Sequence, residues 1–315
     1  SNGKAIYGNG PIIHNSGTFA FTNTDDYGSI QIQLEGGAGS AGTQFNDVTF
    51  SGNSTYRFPY YGMGAGITIS GDLEISDTVE IKQWRRNMII TGKMTINSGC
   101  VYDCEGSGVA GVDTDFTAGT LEIASGGTFK ASSNTTTITT GGTVAGTSDM
   151  AFGGEGTFTH NKGTLVLDSV LHRIPAGGTF YNVKLTGSQN TGGIYAYTTS
   201  LLPQPTMPDG GSSANNIHIQ GTLTITDDEF RPYNTDKIWI HNLVIGDGTG
   251  ALNSAKFDMQ EVDAFDGTVF VDNVTIHSDG QFLFGDGDET SSTAGSSALN
   301  VYGSFRNLGG NVTIE

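Results

Sequence analysis

A five-residue unit, glycine followed by two apolar residues at alternate positions, recurs along this chain and limits its fold more than any other feature. It reads Gly71-Asp72-Leu73-Glu74-Ile75, Gly92-Lys93-Met94-Thr95-Ile96, Gly119-Thr120-Leu121-Glu122-Ile123, Gly163-Thr164-Leu165-Val166-Leu167 and Gly221-Thr222-Leu223-Thr224-Ile225, with further copies at Gly267 and Gly280. A turn residue followed by strict alternation is a short strand with one buried face. A second unit, asparagine before two alternate apolar residues, starts at Asn182, Asn216, Asn242, Asn273 and Asn311, and FNDVTF at Phe45 to Phe50 is a looser copy. Successive asparagines lie 34, 26, 31 and 38 residues apart.

A constant short strand at irregular spacing is what a solenoid produces when its strands stack and its outer loops vary in length. A strand this short buries little alone. Stacked in parallel on the next rung, it pairs its backbone and adds two side chains to a continuous core. The expected fold is therefore all-β, a β-solenoid resembling a parallel β-helix, with irregular rungs of roughly 20 to 38 residues and loop insertions. Parallel pairing of Leu73 with Met94 and of Ile75 with Ile96 is its signature; a pair of β-sandwiches would pair antiparallel. Residues 1–191 read as an N-terminal solenoid part with first rungs or a cap. The stretch 192–216, with three of the seven prolines, reads as an excursion, and 217–315 as a C-terminal solenoid part. VEIKQWRRNMII, at Val79 to Ile90, reads as strand, turn, strand.

Composition agrees. The 315 residues include 48 glycines, too many for helices, and no apolar run is long enough for a transmembrane helix. Fourteen basic residues against 32 acidic ones leave a net charge of −18. That charge repels a phosphate backbone, so nucleic acid is not an expected partner. It suits instead high solubility, a salty medium, or divalent cations bridging surface carboxylates. The first residues contain no apolar targeting segment.

Two cysteines, Cys100 and Cys104, are spaced for either a small local disulfide or a pair of buried thiols, and their spacing is not that of a metal site. The acidic loop Asp286, Asp288, Glu289 resembles the start of a calcium loop without completing an EF-hand, and IGDGTG at Ile245 to Gly250 is a weaker case. Ca2+ is thus the one cofactor to consider, against ordinary solvated turns. The six histidines are scattered and do not converge in register. Outward carboxylates Asp72, Glu74 and Glu122 are where a glycan-cleaving solenoid would hold its acids, beside the basic residues Lys82, Arg85, Arg86 and Lys93, but they are also where any solenoid puts charge. No residue is assigned a catalytic role. A more specific composition lies in Tyr56, Arg57, Phe58, Tyr60 and Tyr61, and in Trp84, Arg85 and Arg86: aromatic and guanidinium groups together recognise ligands or form an interface, or the rings close a solenoid end.

The stretch GTFTHNKGTLVLDSVLHRIPAGGTFYNVKLTG, from Gly156 to Gly187, resembles the repeat unit of large β-solenoid proteins of bacterial surfaces and bacteriophages. The resemblance implies a repeat architecture and a non-enzymatic structural or adhesive subunit of an extracellular assembly, whether phage appendage, virion component or surface filament. Its expected partners are further copies of itself, other surface or virion proteins, and glycans. The alternative is a polysaccharide-binding or polysaccharide-degrading β-helix of the phage tailspike type.

Overall fold

The computed structural model describes residues 3–8, 12–13, 16–23, 30–34, 43–58, 66–84, 86–105, 114–139, 152–168, 173–175, 178–187, 194–197, 216–232, 237–259, 267–284 and 298–314. They form thirty strands and, among the described residues, no helix. All registered strand pairs are parallel, which excludes the sandwich alternative. Met94 lies opposite Leu73 and Ile96 opposite Ile75, as a solenoid requires.

One rung is a bent two-armed strand followed by a third strand across a corner. Met88–Ile96 is such a bent strand, its arms Met88 to Ile90 and Lys93 to Ile96 separated by a register shift. A turn through Gly99, at φ 79°, then leads to Val101–Asp103. On the next rung Phe116–Ile123 repeats the bent strand, Gly126 repeats the turn at φ 80°, and Thr128–Lys130 repeats the third strand. Such positive φ values favour glycine, which has no Cβ to clash. Because one bent strand pairs through each arm separately, the ladders branch, and the stack stays open.

By contacts the chain divides into two compact units. One comprises Ser1–Thr139 with Gly154–Thr164, and the other Thr140–Gly153 with Leu165–Glu315. In the first unit the third-strand ladder runs through Ile30–Leu34, Thr55–Arg57, Glu80–Lys82, Val101–Asp103, Thr128–Lys130 and Thr157–Thr159. In the second, the bent strands Ile217–Ile225, Lys237–Ile245 and Thr268–Ile276 stack on one another. The third strands there are Arg173–Pro175, Ile194–Tyr197, Glu229–Arg231, Ala255–Asp258, Gly280–Phe284 and Asn311–Ile314. Ile194–Tyr197 thus lies in a ladder although it falls within the expected excursion; residues 198–215 lie outside the described residues. Glu80–Lys82 and Met88–Ile96 are the strand, turn and strand expected of Val79 to Ile90.

The core is a set of straight columns. Val48, Leu73, Met94 and Leu121 stack in one, and Phe50, Ile75, Ile96 and Ile123 in its neighbour. Val183, Leu223, Leu243 and Val274 form the equivalent column of the second unit. All are essentially inaccessible to water. Each such side chain contributes roughly 1.5–3 kcal/mol over leaving it exposed, and a short strand reaches that gain only when rungs lie above and below it.

The bend unites the two sequence units. At the register shift the backbone ladder is interrupted, and a side-chain oxygen of the preceding rung accepts the amide left over. Asp72 N–H donates to Asp47 Oδ1 at 2.9 Å, Lys93 N–H to Asp72 Oδ1 at 2.7 Å, and Thr222 N–H to Asn182 Oδ1 at 2.9 Å. Ser304 N–H donates to Asn273 Oδ1 at 3.1 Å. Those bonds span 25, 21, 40 and 31 residues, so rung length varies while the corner stays the same. A Cβ on Gly92 would collide with Asp72 Oδ1 and the Gly71 carbonyl, and one on Gly221 with Asn182 Oδ1. The glycine of one rung therefore leaves room for the Asx acceptor of the rung before it. Not every copy occupies this corner: Gly267 and Asn216 lead into first arms, while Gly280 and Asn311 begin third strands.

Candidate functional site

Strand alternation splits the segment Tyr56 to Phe58 between the two sides of the wall. Tyr56 and Phe58 point inward and are buried, in an aromatic cluster with Phe21, Phe45 and Phe50. They belong to the core and do not offer a surface. Arg57 points outward, and its guanidinium carbon sits 4.4 Å from the ring centroid of Trp84. The two aromatic and basic segments of the sequence thus meet in one place, because Arg57 lies opposite Lys82 on the next rung and Trp84 follows two residues later.

Trp84 is held from inside. Gln83, the preceding residue, is fully buried and donates its amide to the Arg86 carbonyl at 2.8 Å and to the Asp115 carbonyl at 3.0 Å. It also accepts from the Tyr102 hydroxyl at 3.1 Å. The loop bearing Trp84 and Arg86 is therefore clamped to the core rather than hung from the surface. Alongside, Lys82 pairs with Glu80 at 3.2 Å, and Glu80 accepts from Thr55 Oγ1 at 3.0 Å. Among the described residues Arg57 has no carboxylate partner, and its buried Nε has no hydrogen-bond acceptor. Tyr60, Tyr61 and Arg85 lie outside the described residues.

The remaining sequence candidates separate by geometry. Cys100 and Cys104 are free, buried thiols. Val101–Asp103 runs extended between them, which at ~3.3 Å per residue holds the two Cα atoms about 13 Å apart, beyond the about 7 Å that a disulfide spans. Of the two readings of the pair, the thiol one therefore holds. Asp286, Asp288 and Glu289, and with them the suggested calcium loop, lie outside the described residues. In the weaker loop, Ile245 to Gly250, the amides of Gly248 and Gly250 donate to the buried carboxylate of Asp279, at 2.9 and 3.0 Å. That loop wraps a side chain of the following rung.

The outward acids Asp72, Glu74 and Glu122 all have structural partners. Asp72 accepts the Lys93 amide, Glu74 accepts from Asn97 Nδ2 at 3.0 Å, and Glu122 pairs with the Lys93 ammonium. A carboxylate cluster that sequence reasoning missed lies in the second unit. Asp228, Glu229 and Asp258 are 3%, 8% and 3% exposed, although Glu229 and Asp258 occupy strand positions that face away from the column Phe230, Phe257, Phe282. Glu229 shares a hydrogen bond with Asp258, and lies 3.0 Å from Arg231 and 3.9 Å from Lys256. Burial pushes the Asp228 carboxyl up to about 7. Burial, then the bond to Asp258, also raises Glu229 against the pull of Arg231 and Lys256. The available signal was acid and base alternating two residues apart on adjacent rungs, Glu229 and Arg231 beside Lys256 and Asp258.

On the last described rung the successors of buried core residues are exposed. Val274 is fully buried and its successor Phe305 is 44% exposed; Phe282 is buried and its successor Val312 is 36% exposed. Tyr302 and Ile314 are 63% and 72% exposed. Among the described residues, Ala298–Val301 and Phe305–Asn307 pair only with Thr268–Ile276, and Asn311–Ile314 pairs only with Gly280–Phe284. Tyr302 also ends a stack of outward rings with Trp239 and Phe270, whose planes lie within 14° of parallel.

No family model, curated protein or solved structure matches the chain. Of the resemblance in the sequence, the part the structure supports is the repetitive parallel architecture.

Proposed function

We propose that this chain is a non-enzymatic structural or adhesive component of an extracellular assembly, of the kind that phage appendages, virion components and bacterial surface filaments form. The observation that carries this reading is the parallel stack, in which Met88–Ile96, Val101–Asp103 and Lys237–Ile245 each pair with a rung on both sides. Such a stack is a stiff scaffold built by repetition, and it carries the outward rings of Trp239, Phe270 and Tyr302, stacked within 14° of parallel, as a rigid aromatic surface for contact with another copy.

Sedimentation velocity of the purified chain over a dilution series tests this. Association that weakens on dilution, and that Phe270→Ala with Tyr302→Ala reduces while the melting midpoint is kept, is the expected outcome. A single monomeric species at every concentration, unchanged by the substitutions, overturns the reading.

A further inference from the structure

We propose that the Arg57–Trp84 platform is a binding site for a sugar bearing a single carboxylate within an otherwise neutral glycan. The site lies in the first unit and shares no residue with the ring stack of Trp239, Phe270 and Tyr302, so either reading can fail without the other.

Three features support it. First, Arg57 points outward from its strand, and no carboxylate among the described residues pairs with its guanidinium. The guanidinium is planar and matches a carboxylate two bonds at a time. Second, the group is already oriented: it lies 4.4 Å above the Trp84 ring, Arg57 is fixed by a strand, and Trp84 by the buried Gln83 clamp. Recognition groups held rigidly lose little entropy on binding. Third, the surroundings suit a sugar. Trp84 is half-buried, and the part of its indole that the Arg57 guanidinium leaves accessible is apolar surface against which a pyranose C–H face can rest. Thr55 and Glu80, on the same wall, supply oxygen atoms to a hydroxylated ligand. Lys82, one rung away at about 4.8 Å, is a second cation, shared with Glu80.

The overall charge sets the ligand's charge density. A net −18 repels a polyanion such as nucleic acid or a heavily sulfated chain at long range. An isolated carboxylate on a neutral chain escapes most of that repulsion and still gains the local contact with Arg57. The geometry therefore points to a uronate or a similar acidic sugar in a mostly neutral polymer.

The test is calorimetric titration of the full chain with two oligosaccharides that differ only in a terminal glucuronate or glucose. The acidic one is expected to bind tighter by about tenfold or more, the size of one charge-assisted contact. Arg57→Ala should abolish the preference and Arg57→Lys should lose most of it, because lysine keeps the charge but not the fork. Trp84→Ala should weaken both ligands, while Lys93→Ala, on the bent strand Met88–Ile96 rather than on this wall, should leave both unchanged. Melting midpoints report whether each variant folds. Equal binding of the two sugars by wild type, no binding of either, or a preference for polyglutamate over the glucuronate sugar overturns the proposal.

Discussion

Asp228 illustrates how a single residue's surroundings become a property of the molecule. Its folded value near 7 lies above that of an unfolded aspartate, mainly through burial. The folded state therefore holds the proton more tightly than the unfolded one. The stabilisation this confers is complete below about pH 4 and is lost as pH rises through about 7. Asp228→Asn should accordingly raise the melting midpoint at pH 8, change it little at pH 4, and flatten the difference between the two; an equal shift at both pH values would contradict the assignment. The two thiols make a second case. Burial raises Cys100, and raises Cys104 well above the ordinary thiol value, so neither is a ready nucleophile. A disulfide-exchange reagent should label neither in the native protein and both in denaturant, and reductant should leave the melting midpoint unchanged.

At the scale of one rung, the bend is the joint on which the repeat depends. Asn273 accepts from Ser304 N–H and Oγ and donates to Asn242 Oδ1 at 3.1 Å, linking three rungs. Asn273→Ala should cost about 0.5–1.5 kcal/mol, the net worth of a hydrogen bond, since Ser304 is exposed and water can replace the lost acceptor. Gly92→Ala should cost about 1–3 kcal/mol for a different reason, overpacking against the backbone of the preceding rung. Leu243→Ala, which leaves a hole in a column, should cost roughly 2–5 kcal/mol. Urea titrations read all three. At this scale the sequence was legible: the alternation that marks Gly92 to Ile96 as a strand is the alternation that buries Met94 and Ile96. What it did not disclose is which corner each copy takes. A glycine before two alternate apolar residues satisfies a second arm at Gly92, a first arm at Gly267 and a third strand at Gly280, because all three positions demand the same inward pair after a close approach.

At the scale of the whole chain, charge and the proposed self-association act against each other. Copies carrying a net −18 repel, and salt screens that repulsion while leaving apolar contact intact. Self-association should therefore strengthen as ionic strength rises from about 10 mM to physiological, where the Debye length is about 8 Å. Sedimentation at the two salt levels checks this; weakening with salt would mean that ion pairs, rather than aromatic contact through Phe270 and Tyr302, hold the copies together.

The sequence by itself determined an all-β parallel solenoid and the register of its closest rungs, down to Leu73 on Met94 and Ile75 on Ile96. Those follow from local rules, since a period of two selects the inward face and a strand too short to stand alone must stack. Only the tertiary structure placed Arg57 over Trp84, gathered Asp228, Glu229 and Asp258 in a buried cluster, and held Cys100 away from Cys104. The first two depend on which residues of successive rungs meet, and that is set by loops whose lengths vary from rung to rung without altering the strands. The third depends on the stretch between the cysteines being strand rather than turn, a choice that the neighbouring rungs make by pairing with Val101–Asp103 on both sides.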